Sequence, residues 1–492
     1  MEQEIINNLW NFLPEITLAF AIIILSFLPL LLKKSSKLIL SFFLLFLVLT
    51  LVFALLQIYI PQQFLFNGTF VIDRFASYGK ILIIITTIII SVFLIINNKL
   101  QINGPPLLLI PSIALGSMLA VAASNLIALF ISFELINISL YLLIYSKRKI
   151  SIKYLITGLA VSGLMLYGIT ILYGLSGSMD YNIISKFLSE NKYNYSTLII
   201  SVLLISSGLA YKILIFPFNI IYPSIAEKSE SAATSVISIP AVIAGFSVIT
   251  RFFLTIFNDT GSFSSSETAY RLIFTTKWDL FLAVLSAASI IIGNFVILWQ
   301  TNLKRITAFT IISSCGYLLM GLISASPEGT AYLLAGLVIY SINSLGLIFC
   351  VELIESKFKI TDIRSIKGIG LHSKILFIPF TIFIISSVGI VLTSGFIMKL
   401  LLFSSVISTP YYWLMIFGVL SQLVSMYFFF KLIVTLFQRK ISGESIAVRL
   451  ETGNKIILLL LTIPSILLGL YFSPLLDFAR YCSMIFGMIF GI

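Results

Sequence analysis

The chain has 492 residues, 59% hydrophobic and 10% charged, with a formal net charge of +12 and one histidine. Soluble globular domains carry about 25% charged residues, so a chain with a mean hydropathy of +1.11 has too little polar surface to face water on all sides. The composition excludes a soluble enzyme and a nucleic-acid binder, because most of the Lys and Arg sit in short loops between apolar runs, where topology-setting charge belongs.

The start, Met1-Glu2-Gln3-Glu4, is acidic and lacks a signal peptide's basic region, so the first apolar run is expected to stay as a span. With about 20 residues per crossing, fourteen stretches read as helices. They lie near 13–32, 38–60, 77–97, 106–123, 125–145, 153–175, 196–222, 232–256, 279–299, 305–325, 330–353, 373–404, 411–437 and 454–474. The expected fold is an all-α polytopic bundle of about fourteen transmembrane helices. An apolar tail, 475–492, reads as interfacial.

Of the 31 Lys and Arg residues, twenty fall in the odd-numbered loops, among them Lys33, Lys34, Lys304, Arg305, Arg439, Lys440 and Arg449. Seven fall in the even-numbered loops and the tail: Arg74, Lys80, Lys186, Lys192, Arg271, Lys277 and Arg480. This imbalance puts the odd loops in the cytoplasm and both termini outside it. Lys212, Arg251, Lys399 and Lys431 lie within spans.

The chain divides into an N-terminal three-helix segment (1–105), two five-helix units (106–256 and 257–437) and a last helix with its tail (438–492). Lys212 and Lys399 each fall on the fourth helix of their unit. Five is odd, so the second unit crosses in the opposite sense, as in the inverted repeats of secondary transporters.

The stretch Ser206-Ser207-Gly208-Leu209-Ala210-Tyr211-Lys212-Ile213-Leu214-Ile215-Phe216-Pro217 carries a lysine and, five residues later, a proline. Pro217 cannot donate to the carbonyl of Ile213, so the helix should kink or break beside Lys212. A charge and broken backbone at membrane depth both call for an internal polar environment. Gly389, Thr393, Ser394 and Gly395 loosen the chain ahead of Lys399, a chemically weaker interruption with no proline among them.

Glu134, Asn137 and Tyr141 form an i, i+3, i+7 stripe, one polar face of a helix. Glu134 and Lys212 are opposite in charge and belong to the same unit, so a pair is expected that gates proton movement; a structural buried ion pair is the other reading. Lys304 and Arg305 read as topology anchors. Glu352 and Glu355 read as interfacial. Asp73 and Arg74 are expected to neutralise each other, and Arg251 to snorkel. Cys315, Cys350 and Cys482 have no paired or metal-like spacing, and His372 alone cannot build a multi-histidine metal or haem site.

Several of these residues fall in pieces that resemble one family. They are Leu13-Pro14-Glu15, Phe133-Glu134-Leu135, Tyr211-Lys212 with Phe216-Pro217-Phe218, and Gly293-Asn294 with Gln300-Thr301-Asn302-Leu303-Lys304-Arg305. Gly316-Tyr317-Leu318-Leu319, Gly389-Ile390 and Gly395-Phe396 with Lys399 complete the set. In that order they resemble subunit N of proton-pumping NADH-quinone oxidoreductase, respiratory complex I, one of the antiporter-like membrane subunits.

The resemblance implies a cofactor-free subunit that moves protons while other subunits carry electrons through NADH, FMN, iron–sulfur clusters and quinone. It implies subunits K and M as neighbours and an inner (plasma) membrane location. Glu134 and Lys212 would be the gating pair and Lys399 the exit-side residue, with Lys304 a further candidate. Two departures stand out: Val242 occupies the place of the family's lysine in the eighth span, and Ser314 and Asn219 occupy the places of two histidines. Ser238, Thr310, Ser313 and Ser314, with waters, would bridge the gap, or passage is impaired. A cation/proton antiporter subunit and a non-pumping structural arm subunit are the alternatives.

Overall fold

The computed structural model describes residues 2–31, 36–100, 105–145, 147–190, 193–257, 278–371, 373–407, 409–438 and 450–489. His372 and the loop charges Lys33, Lys34, Lys192, Arg271, Lys277, Arg439, Lys440 and Arg449 lie outside them.

The chain opens with α1 (Glu2–Asn11), α2 (Leu13–Leu31) and α3 (Ser36–Leu56), then the strands β1 (Gln63–Leu65) and β2 (Phe70–Ile72). Helices α4 (Arg74–Ile96), α5 (Pro106–Ala122), α6 (Leu126–Leu143), α7 (Arg148–Ser176), α8 (Tyr181–Glu190) and α9 (Tyr195–Lys212) follow. Next come α10 (Tyr222–Lys228), α11 (Ser231–Ser238), α12 (Pro240–Ile256), α13 (Trp278–Val296), α14 (Leu303–Ile323) and α15 (Pro327–Phe358). The last elements are α16 (Lys374–Val388), α17 (Ser394–Ile407), α18 (Trp413–Phe437), α19 (Thr452–Leu470) and α20 (Ser473–Ile489). Among the described residues, eleven helices are long and apolar enough to cross a membrane; Leu13–Leu28, Pro106–Ala122, Lys374–Val388 and Ser394–Ile407 are shorter apolar helices. The chain is nearly all helical. Among the described residues the all-α expectation is broken by the β1–β2 hairpin, whose turn carries Asn67-Gly68 in left-handed backbone, the dipeptide that favours tight hairpins.

The molecule forms two compact units. Unit 1 holds residues 1–213, 239–278 and 481–492, and unit 2 holds 214–238 and 279–480. In unit 1, α7 runs along α9. They meet at Gly168, where a Cβ would lie 2.8 Å from the carbonyl oxygen of Ser201, so only glycine permits this approach. Ser201 then donates to the Gly168 carbonyl at 2.9 Å. In unit 2, α15 packs on α14, α16, α17 and α19.

Two interruptions matter for function. Helix α9 ends at Lys212, and the chain stays irregular until α10 begins at Tyr222. Leu214, in left-handed backbone at φ 56°, lies in this stretch. The freed polar groups find partners within unit 2: Phe216 N–H donates to Ser289 Oγ at 3.0 Å, and Asn219 Nδ2 donates to the Leu214 carbonyl at 2.9 Å. The second interruption separates α16 from α17, with Gly389 at φ 82°.

Unit 1 also corrects three expectations about charge. Asp73 pairs with Arg251, not Arg74, through two bonds of 2.7 and 2.9 Å, and its side chain also caps α4 at Ala76 N–H. Arg251 is buried and does not snorkel, while Arg74 lies over the Tyr481 ring at 4.1 Å. Lys80 is no loop charge: it is fully buried and 2.6 Å from Glu15, with Gln57 as a further acceptor at 3.1 Å. Burial explains all three, because a charge out of water persists only with a partner close by.

Candidate functional site

Lys212 is the last residue of α9, where the negative end of the helix dipole favours a cation. It is 5% exposed. Its ammonium donates to Asn137 Oδ1. Asn137 Nδ2 in turn donates to Glu134 Oε1 at 3.0 Å. Ser162 of α7 donates to the same carboxylate oxygen at 2.5 Å, and Asn137 Nδ2 reaches Ser162 Oγ at 3.2 Å.

The stripe read from sequence is therefore present, but the direct Glu134–Lys212 pair is replaced by a bridge. Asn137 sits one turn further along α6, and its amide offers an acceptor to the lysine and a donor to the carboxylate. Phe133 places its ring 5.5 Å from the ammonium, within cation–π range. Asn137 and Ser162 are the members of this hydrogen-bonded group that sequence reasoning left in the background, although the i, i+3 spacing already put Asn137 beside Glu134.

Helix α12 passes close to Lys212. A Cβ on Gly245 would lie 3.2 Å from Lys212 Cβ and 2.6 Å from Ile213. Val242, three residues earlier and on the same side of α12, is fully buried. This face of the lysine site is apolar.

Lys399 of α17 is 4% exposed and is held differently. Helix α16 ends with four carbonyls that lack helical partners. Gly389 N–H takes those of Ile385 and Ser386, and Lys399 Nζ donates to those of Ser387 and Val388 at 2.9 Å each. The broken helix thus presents its negative end to the lysine. Tyr317 lies beneath the ammonium, its ring centroid 4.6 Å away. Its hydroxyl donates to the Gly418 carbonyl at 2.9 Å, and Asn294 ties it to Ser313 and Ser421. No carboxylate pairs with Lys399 among the described residues.

Lys304 is not a simple anchor. It pairs with Glu355 and lies 3.7 Å from Glu352, while Arg305 lies 3.6 Å from Glu227. The hydroxyls expected to relay through the middle of the chain are turned to their own helices: Ser238 donates to Thr234, Thr310 to Ile306 and Ser314 to Thr310. Ser313 is the exception, donating to Asn294 Oδ1 at 2.8 Å. No group of three or more His, Cys, Asp or Glu side chains is placed to hold a metal among the described residues.

Two lysines at helix breaks, one bridged to a half-buried carboxylate, are set within a helical membrane chain. The NADH:quinone oxidoreductase/Mrp antiporter transmembrane family matches residues 123–425. The chain belongs to this family. NADH-quinone oxidoreductase subunit N 2 of Chloroherpeton thalassium is 33% identical over 455 residues, covering 89% of this chain and 87% of its own. Subunit N 1 of Thermodesulfovibrio yellowstonii is 32% identical over 440 residues, covering 87% of this chain and 90% of its own.

Among solved structures, a chain of respiratory complex I from Thermus thermophilus superposes with a TM-score of 0.74 at 19% identity, covering 95% of this chain and 99% of its own. A chain of the Mrp complex from Dietzia sp. DQ12-45-1b reaches 0.82 at 17% identity, covering 98% and 97%. These two likenesses establish the fold of this family member: a polytopic helical membrane protein.

Proposed function

We propose that this chain is a membrane-arm subunit of an NADH-quinone oxidoreductase that translocates protons, driven by electron transfer from NADH to quinone in other subunits. The observation that carries the reading is the Lys212–Asn137–Glu134 bridge, buried at its lysine and amide and half-buried at its carboxylate, in a chain whose relatives are named subunit N of that oxidoreductase. A buried ammonium linked through one amide to a half-buried carboxylate depends on that link for its counter-charge, since burial takes the ammonium out of bulk water. A shift of α6 or α9 that lengthens the bridge favours release of the lysine proton, and closure favours its return. In this reading Glu134 and Lys212 gate the proton, Lys399 acts on the exit side, and Lys304 stays a secondary candidate.

The same reading includes fourteen crossings in two inverted five-helix repeats, with the chain divided at 105, 256 and 437. It places the chain in an inner (plasma) membrane with both termini outside the cytoplasm, and beside subunits K and M. NADH, FMN, iron–sulfur clusters and quinone belong to other subunits of the complex.

Affinity isolation of the tagged full-length chain from its membrane tests this. Co-isolation of NADH-oxidising and quinone-reducing subunits is expected; isolation with antiporter subunits alone would overturn it in favour of the cation/proton antiporter reading. A structural arm subunit is the second reading, and Val242 favours it: the apolar face that α12 turns to Lys212 carries no titratable side chain there.

A further inference from the structure

A cavity of about 480 Å³ opens beside Lys399 in unit 2, within the size range of small-molecule sites. Its wall is mainly apolar, with Phe396, Phe403, Leu423 and Met426 between α17 and α18, and its polar side chains are Lys399, Gln422 and Ser404, the last donating to its own helix at the Leu401 carbonyl. Leu400 and Leu423 at its edge are 46% and 56% exposed, so the cavity opens sideways from the chain.

The polar end is unfinished in a specific way. Lys399 has three ammonium hydrogens, and two are bonded to the Ser387 and Val388 carbonyls. Gln422 Nε2 has only a long contact, 3.5 Å, with the Gly389 carbonyl. Both nitrogens flank the bare side of Gly389: a Cβ built there would lie 3.2 Å from Gln422 Nε2 and 3.5 Å from Lys399 Nζ. Two donors thus meet at the inner end of an apolar cavity, one of them a buried cation without a counter-ion among the described residues. A buried cation is stabilised chiefly by an opposite charge brought to it.

We propose that this cavity binds a single-chain amphiphile with a carboxylate head, such as a free fatty acid. Its two oxygens take Lys399 Nζ and Gln422 Nε2, and its acyl chain lies against the phenylalanines and Met426. Water alone is a poor occupant, because the apolar walls offer it few partners. A two-chain phospholipid is also a poor fit. Its phosphate is anchored in the headgroup layer, whereas Lys399 lies eight residues inside the end of α17 at Ile407, about 12 Å along the axis. The bound carboxylate supplies Lys399 with the counter-charge that it lacks among the described residues. Its effect on proton release rests on the proposed role of Lys399, but the binding itself does not.

The test is photolabelling of the whole complex in nanodiscs with a diazirine-bearing palmitic acid, followed by mass spectrometry of peptides from α17 and α18. Labelling at these two helices is expected, displaced by oleate and not by methyl oleate or oleyl alcohol. Lys399→Met should reduce it roughly tenfold or more, the value of one charge-assisted contact. Leu423→Trp, which fills the cavity and keeps the lysine, should also abolish it. Equal displacement by the methyl ester would overturn the proposal by showing an ordinary lipid contact, as would labelling unaffected by both variants. Absence of labelling in the intact complex would overturn it too, as expected where an acidic side chain of a neighbouring subunit fills the role. Proton pumping measured on the same samples, with and without oleate, reports separately on Lys399: labelling with unaltered pumping keeps the site and removes Lys399 from the exit role.

Discussion

Lys212 and Lys399 both lie at interrupted helices and are both buried, yet the two units solve the cost of a buried charge by different means. Lys212 reaches a carboxylate through one amide, in surroundings closed by Phe133, α7 and α12. Lys399 has the carbonyl end of a broken helix and a tyrosine face, and it borders an open cavity. A full counter-charge can be moved toward or away from its partner, whereas helix carbonyls are fixed partial charges. The first arrangement suits a switch, and the second suits a group whose partner comes and goes.

The comparison can be broken in several places. The largest expected effect is outside both lysine sites. Asp73→Ala leaves Arg251 buried without its partner, at a cost of about 3–5 kcal/mol. Complex yield and thermal stability should fall sharply, while complexes that do assemble pump normally. Loss of pumping per assembled complex would mean that this pair is functional as well.

Glu134→Gln keeps the shape of the Lys212 site and removes its counter-charge. Proton transfer by a positioned group contributes about 10²-fold or more, so coupled quinone reduction should slow by a comparable factor at unchanged assembly. An unchanged rate would place Glu134 among structural charges. Asn137→Leu removes the bridge and leaves the buried Lys212 ammonium without its acceptor, while Ser162 still donates to Glu134, at a cost of about 1–3 kcal/mol. It should impair pumping nearly as much as Glu134→Gln. If only stability falls, the ammonium and carboxylate communicate without the amide.

Tyr317→Leu is expected to have the smallest effect on pumping: it removes a cation–π contact of about 0.5–2 kcal/mol, along with the hydroxyl's bond to the Gly418 carbonyl. It should weaken pumping by less than tenfold and leave the Lys212 bridge intact. A larger loss than in Asn137→Leu would reverse the assignment of the two sites.

Much of this was legible in the sequence because apolar runs and single charges at membrane depth are strong signals. Pro217 announced the break after Lys212, and Gly389 with Gly395 announced the one before Lys399. The partners of buried charges were not legible. Asp73 and Arg251 are 178 residues apart, and neighbouring Arg74 looked like the cheaper partner until the fold brought α12 against α4. Lys80 near a span end was indistinguishable from a topology anchor without Glu15 beside it. The hairpin at β1–β2 carried its Asn67-Gly68 signal, but strands of three residues are too short for alternation to register.

The most direct test of the account is proton pumping by purified complex in sealed liposomes, with Lys212→Ala compared with the unmodified chain at matched assembly. The account predicts that NADH oxidation slows and the pH gradient formed per NADH falls. A normal gradient at a normal rate would contradict it and leave the chain a structural member of its family.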